Sequence, residues 1–165
     1  MKNKLCSRLF LLLSFSFFYL ASFAQDSAQM EKQKEPTVKS MIDEKTLTFE
    51  PEFATPMKGG RRYLDPGYTL KLKPDTLVID LPYFGRAYSV DYGASDGGLK
   101  ATSYKFEYSV KERKKGGWDI TIKTKDLKDQ LQMELTVFEN GSASLNVNST
   151  NRQPISYDGK IQVKK

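Results

Sequence analysis

The sequence predicts a mainly β protein: an antiparallel meander of about eight strands forming a sandwich or a partly closed barrel, with a short N-terminal helix. Three observations carry that expectation. From Thr46 onward apolar residues recur with a period of two, the spacing of half-buried strands. Three hairpin turns agree with the parity of the strands that flank them. Most connections between strands are too short for the helical crossovers that a parallel sheet needs.

The chain of 165 residues opens with Lys2, Lys4 and Arg8, followed by an apolar run from Leu9 to Phe23 and the small-x-small site Ser22-Phe23-Ala24. This is the pattern of a secretory signal peptide over residues 1–24, with cleavage after Ala24 leaving Gln25 first. The run is short for a membrane span and a polar stretch follows it, so the mature chain is expected to have no span. Cys6, the single cysteine, lies in the charged start instead of at the end of the apolar run. That position argues against a lipid anchor and leaves the mature chain without a disulfide, a thiol nucleophile or a thiolate metal site. The expected location is therefore periplasmic or secreted. Losing the leader takes the formal charge from +6 to +3. The remaining bases are interspersed with acids, and the densest cluster, Lys111-Glu112-Arg113-Lys114-Lys115, reads as a solvated hairpin end. No nucleic-acid partner is expected.

Residues 25–45 read as a polar tether followed by a short helix. Pro36 suits a helix start, and Val38, Met41 and Ile42 share one face at i, i+3, i+4 spacing. So short a helix must pack on the β-domain to persist. The β-domain is 46–165. Its apolar positions are Leu47, Phe49, Phe53; Tyr68, Leu70, Leu72; Leu77, Ile79, Leu81; and Tyr104, Phe106, Tyr108, Val110. The series continues with Trp118, Ile120, Ile122; Leu131, Met133, Leu135, Val137; Ala143, Leu145, Val147; and Ile155, Tyr157, Ile161, Val163.

Residues facing each other on the core side must both be apolar. A three-residue loop at Glu139-Asn140-Gly141 satisfies this, setting Val137 opposite Ala143, Leu135 opposite Leu145 and Met133 opposite Val147. Gly141 then takes the left-handed position of such loops. Lys114-Lys115-Gly116 sets Val110 opposite Ile120 and Tyr108 opposite Ile122 in the same way. At Pro74-Asp75 a two-residue loop sets Leu72 opposite Leu77 and Leu70 opposite Ile79.

The chemistry is bounded by what is missing. The chain contains no histidine, which excludes Ser-His-Asp and Cys-His nucleophile systems and, with no thiolate in the mature chain, the usual zinc sites. Gly97-Gly98-Leu99-Lys100 lacks the spacing of a phosphate loop. Residues 93–98 do not open a helix as a dinucleotide fingerprint would. No cofactor and no metal are expected. Asp91 and Asp96 are candidates for a carboxylate pair flanking a glycosidic bond, against the simpler reading as turn acids. A calcium loop over 91–96 has too few ligands at alternate positions. Asn140-Gly141-Ser142 and Asn148-Ser149-Thr150 match the N-glycosylation acceptor but read as turns.

The stretch PYFGRAYSVDYGASDGGLK, residues 82–100, stands out. Continuing the strand from Leu77 sets Leu77, Ile79, Leu81 and Tyr83 on one face and Phe84, Arg86 and Tyr88 on the other. Arg86 would then lie between two aromatics, within reach of stacking. Two readings stand: a recognition patch for a ligand or partner, or a long strand wrapping a barrel corner. The loop after it, Ser89 to Gly98, is long for so tight a meander, and long loops on small β-scaffolds are often functional.

At LPYFGRAYSVDYGASDGGLK, KKGGWDITIK and LTVFENGSASLNVNSTNRQPISYDGKI the sequence resembles a secreted Bacteroidetes family, domain of unknown function 4251. The resemblance runs roughly from Leu47 to Val163. Val90-Asp91 stands where members often carry a small residue and proline. The resemblance implies export to a Gram-negative envelope and assigns no activity or catalytic residue. It also makes Asp26-Ser27-Ala28 and Asp75-Thr76-Leu77 similar to that group's O-glycosylation pattern, at Ser27 and Thr76.

The expected function is a non-enzymatic exported module that binds a small ligand, a glycan or an envelope protein through Tyr83, Phe84, Arg86, Tyr88 and Tyr92. The alternatives are a carboxylate-dependent glycan hydrolase using Asp91 and Asp96, or a purely structural envelope protein.

Overall fold

Thr37 opens the first element. Its hydroxyl accepts from the Ser40 N–H at 3.3 Å, capping helix α1 (Val38–Asp43). The computed structural model describes residues 37–88 and 98–162, all within the unit Glu35–Lys165. At the other end of α1, Thr46 N–H reaches the Met41 carbonyl (2.8 Å) and Lys45 N–H the Ile42 carbonyl (3.2 Å). This is the Schellman pattern, with Lys45 in the left-handed place at φ 54°. Met41 and Ile42 are buried, so the helix spends its apolar face on the β-core as its length requires.

The strands are β1 (Leu47–Pro56), β2 (Arg62–Tyr63), β3 (Thr69–Lys73), β4 (Thr76–Leu81), β5 (Leu99–Ser103), β6 (Phe106–Glu112), β7 (Trp118–Thr124), β8 (Leu131–Val137), β9 (Ser142–Ser149) and β10 (Ile155–Ile161). They form one antiparallel sheet in the order β5-β4-β3-β1-β10-β9-β8-β7-β6, with the short β2 added on β1. Two of the ten, β2 and β5, lie outside the strands read from the sequence. The Leu99–Ser103 segment is short and weakly patterned, which hides it.

Antiparallel order around this path leaves β5 and β6 pointing the same way at its two ends. Tyr104 and Lys105 alone join them, far too few residues to return the chain for a parallel neighbour. β6 therefore prolongs β5. One strand path leaves β4 at Ser103, opposite Leu77, and takes up β7 at Phe106, opposite Thr124. This change of neighbour brings the sheet nearly to a closed barrel. Asp126 holds the joint. Its carboxylate accepts from the Ser103 hydroxyl, from Tyr104 N–H at 2.8 Å and from Lys105 N–H at 3.2 Å.

All three hairpins have the expected register: Leu72 faces Leu77, Val110 faces Ile120, and Leu135 faces Leu145. Gly116 and Gly141 have φ of 86° and 83°, the left-handed conformation that each three-residue loop needs. Phe49, Leu70, Leu77, Ile79, Ile120, Met133, Leu145 and Tyr157 fill the interior. Lys71, Lys123, Glu134 and Asn146 line the outside. An apolar interior with a polar exterior is the reverse of a lipid-embedded barrel. Among the described residues no helix is long and apolar enough to cross a membrane.

Three local expectations need correction. Tyr104 does not begin a strand; it lies exposed at the joint. Phe53 does not continue the inward face of Leu47 and Phe49. The register of β1 slips between Pro51 and Phe53, where proline has no N–H for the ladder. After the bulge Ala54 and Pro56 face inward, and Phe53 turns outward. Gly159 permits this curvature: a Cβ there would stand 2.0 Å from the Glu50 carbonyl oxygen. The third correction is that β4 stops at Leu81, its last pair being with Leu99, and does not run on through Tyr88.

Candidate functional site

From Pro82 to Tyr88 the chain forms a strap across the end of the barrel where β9 passes to β10. Tyr88 N–H donates to the Asn151 carbonyl (2.7 Å) and Gln153 N–H to the Arg86 carbonyl (3.0 Å). Ala87 makes an isolated antiparallel bridge with Arg152. Buried Tyr157 donates from its hydroxyl to the Pro82 carbonyl at 2.6 Å. Burial drives its phenol pKa well up, so it stays a donor.

Tyr83 folds back under the strap. Its hydroxyl lies 2.9 Å from the carbonyl oxygens of both Arg86 and Gln153 and shares one proton between them. Its ring lies beneath residue 85, where a Cβ would crowd the phenol oxygen, so any larger residue would have to displace the Tyr83 side chain from its bonds. Burial raises the Tyr83 pKa against the lowering effects of its Gln153 bond and the Arg152 charge. The Arg152 guanidinium sits 5.3 Å from the Tyr83 ring, donates to the Gly98 carbonyl (3.1 Å) and pairs with Asp129 at 3.5 Å. Asp129 also accepts from Ser149 (2.6 Å), Thr150 (3.1 Å) and the Asn151 N–H (3.2 Å). The strap is thus fastened through Tyr83, Tyr157, Arg152 and Asp129.

The other predicted residues stand outside this fastening. Phe84 is 36% exposed and Tyr88 71% exposed; Arg86 is exposed. Arg86 is not the cation found over an aromatic here. Arg62, from β2, lies 5.0 Å over the Phe84 ring. Exposed Met57, just past the end of β1, belongs to the same end of the barrel, because Pro56 pairs with Ile155. The structure therefore gathers Phe84, Arg86 and Tyr88 with Arg62 and Met57, and assigns Tyr83 to support. Tyr92, Asp91, Asp96, Ser27, Ala24 and Gln25 lie outside the described residues. Thr76 is the half-buried first residue of β4, paired with Lys73.

A second surface escaped the sequence reading. The β1 bulge turns Phe53 outward against Tyr63, edge to face at 5.5 Å, with the Arg61 guanidinium 3.9 Å over the Phe53 ring. Arg61 also pairs with Asp158 at 3.3 Å. Across a shallow groove of about 300 Å3 stands exposed Phe138, covered by Arg113 at 5.3 Å. The available signal was Pro51, whose place inside a strand pattern marks a bulge and a change of face. The arginine faces of these rings are occupied, and Arg61 is committed to its ion pair, so the groove offers fewer unused groups than the strap. Among the described residues no cluster of three or more His, Cys, Asp or Glu could hold a metal ion.

The fold and this site can be set beside known proteins. A crystal structure of a DUF4251 family protein from Bacteroides eggerthii DSM 20697 matches with a TM-score of 0.56 at 12% identity, covering 76% of this chain and 84% of that one. At that identity the likeness concerns the fold. None of the curated proteins matches the sequence. The family model for domain of unknown function DUF4251 matches residues 29–161. The chain therefore belongs to the DUF4251 family.

Proposed function

We propose that the protein is an exported, non-enzymatic envelope module that recognises a ligand or protein partner through the strap end of its barrel. One observation carries this reading: the strap backbone is immobilised by its bonds to residues 151–153, while Phe84, Arg86 and Tyr88 project outward. Aromatic and arginine side chains on a preorganised backbone lose little entropy on binding, which is why they dominate recognition hot spots. The leader over residues 1–24 and the family resemblance support export. The double variant Arg86→Ala/Tyr88→Ala removes projecting groups and spares the fastening. It is expected to keep the wild-type circular dichroism and thermal transition and to lose the envelope ligand or partner that the wild type retains. A folded double variant that retains every such ligand and partner refutes the reading.

A further inference from the structure

Among the described residues the barrel's closing strand leaves one edge without a neighbouring strand. At one end of the β6–β7 hairpin Arg113 N–H donates to the Gly117 carbonyl (3.0 Å); at the other, Lys125 N–H donates to the Lys105 carbonyl (2.8 Å). Antiparallel bonding alternates, so Lys105, Glu107, Ser109, Lys111 and Arg113 bond toward β7. Phe106, Tyr108, Val110 and Glu112 must then direct their N–H and C=O groups the opposite way, where the strand order ends. Among the described residues no strand lies on that side. Ser109 to Lys115 are all exposed. Val110 is 41% exposed although its cross-strand partner Ile120 is buried. Helix α1 reaches β6 through side chains on either side of it, Lys39 to Glu112 and the Ile42 carbonyl to Tyr108, and among the described residues no strand pairs with the Val110 backbone on the free side.

We propose that β6 pairs antiparallel with β6 of a second copy of this chain, about a two-fold axis through Ser109. That register joins all the edge-directed residues, Phe106 to Glu112 and Tyr108 to Val110, reciprocally. On the outer face it sets Glu107 of each copy opposite Lys111 of the other. Tyr108 of one copy then covers the exposed Val110 of the other. An axis through Tyr108 instead opposes Lys105 to Lys111, and one through Val110 opposes Lys111 to Ser109 and joins fewer edge residues. Charged residues on an edge strand normally repel foreign strands. Here their spacing makes the edge complementary to itself, as an isologous two-fold interface requires.

The test uses the full chain with Cys6→Ser, so that an introduced cysteine is alone. Facing residues in a non-hydrogen-bonded pair are about 4.5 Å apart at Cα, within disulfide range. Ser109→Cys is expected to give a covalent dimer on mild oxidation, while Lys71→Cys, exposed on the outside of β3, stays monomeric. Lys111→Glu should weaken dimerisation about tenfold in sedimentation, since two attractive pairs become repulsive. Glu107→Lys/Lys111→Glu should restore it. Val110→Pro removes an N–H that the monomer does not use in its ladder, and should leave a folded monomer. Equal cross-linking at positions 109 and 71, indifference of the dimer to charge reversal or to Val110→Pro, or occupation of the edge by another segment or protein would each overturn the proposal.

Discussion

At the residue scale, two tyrosines do work that their sequence positions do not disclose. Tyr157 buries its ring in the core and gives its single proton to Pro82, so it joins barrel interior to strap. Tyr157→Phe leaves that carbonyl without its donor. The expected cost is about 1–3 kcal/mol in urea unfolding, and an unchanged midpoint would show that the bond contributes nothing. Tyr108 donates to the Ile42 carbonyl at 3.0 Å, tying α1 to β6. Burial, and then the charge of Asp43, push its pKa from 10.0 up to about 12. A folded-state pKa above the unfolded value means a contribution that is complete below pH 10 and lost as pH rises through about 12. Tyr108→Phe should therefore soften the fall in unfolding midpoint over that alkaline window; superimposable profiles for the two proteins would contradict it.

At the element scale, the joint between β5 and β6 depends on one carboxylate. The Ser103 hydroxyl, followed by the Tyr104 N–H, holds the Asp126 pKa below its ordinary 3.8. A depressed folded-state pKa stabilises above the unfolded value and loses that contribution as pH falls through the folded one. Asp126→Asn should thus be less stable near neutrality and show a shallower acid limb in a pH series of unfolding midpoints; a parallel acid limb would refute the assignment. This joint also marks where sequence reading stops. The hairpins at Pro74-Asp75, Lys114-Lys115-Gly116 and Glu139-Asn140-Gly141 were legible because parity and turn chemistry are settled within about ten residues. The β5–β6 joint was not, because Asp126 reaches back 23 residues to Ser103. Phe53 was assigned to the wrong face because one bulge inverts every later position on its strand. In the candidate site, strand parity grouped Phe84, Arg86 and Tyr88 but left open which way they face; their exposure follows from the strap that replaces β4 after Leu81. The supporting role of Tyr83 was not, since its acceptor Gln153 lies 70 residues away.

At the scale of the whole molecule, the two ends of the barrel are closed by different means. One end carries α1, anchored by Met41, Ile42 and the Tyr108 bond. The other carries the strap. Among the described residues the β6 edge has no neighbouring strand, because one strand path serves β4 and then β7. Proposed export adds a covalent expectation: the mature protein recovered from the envelope should begin at Gln25 by intact mass. Recovery of the chain with residues 1–24 still attached would contradict cleavage there.

The pairing of β1 with β10 has a further consequence, and it is kinetic. Strands β6 to β10 follow one another as nearest neighbours and can zip locally, whereas Phe49 must wait for Ile161. Contacts so distant along the chain are slow to form, because the loop they close is nearly the entire domain. A nascent chain lacking its final strand therefore keeps β1 open on one side and its apolar residues accessible. Closure of the sheet is thus expected late in synthesis, an order compatible with the export proposed above, since threading through a membrane would need an uncompacted chain.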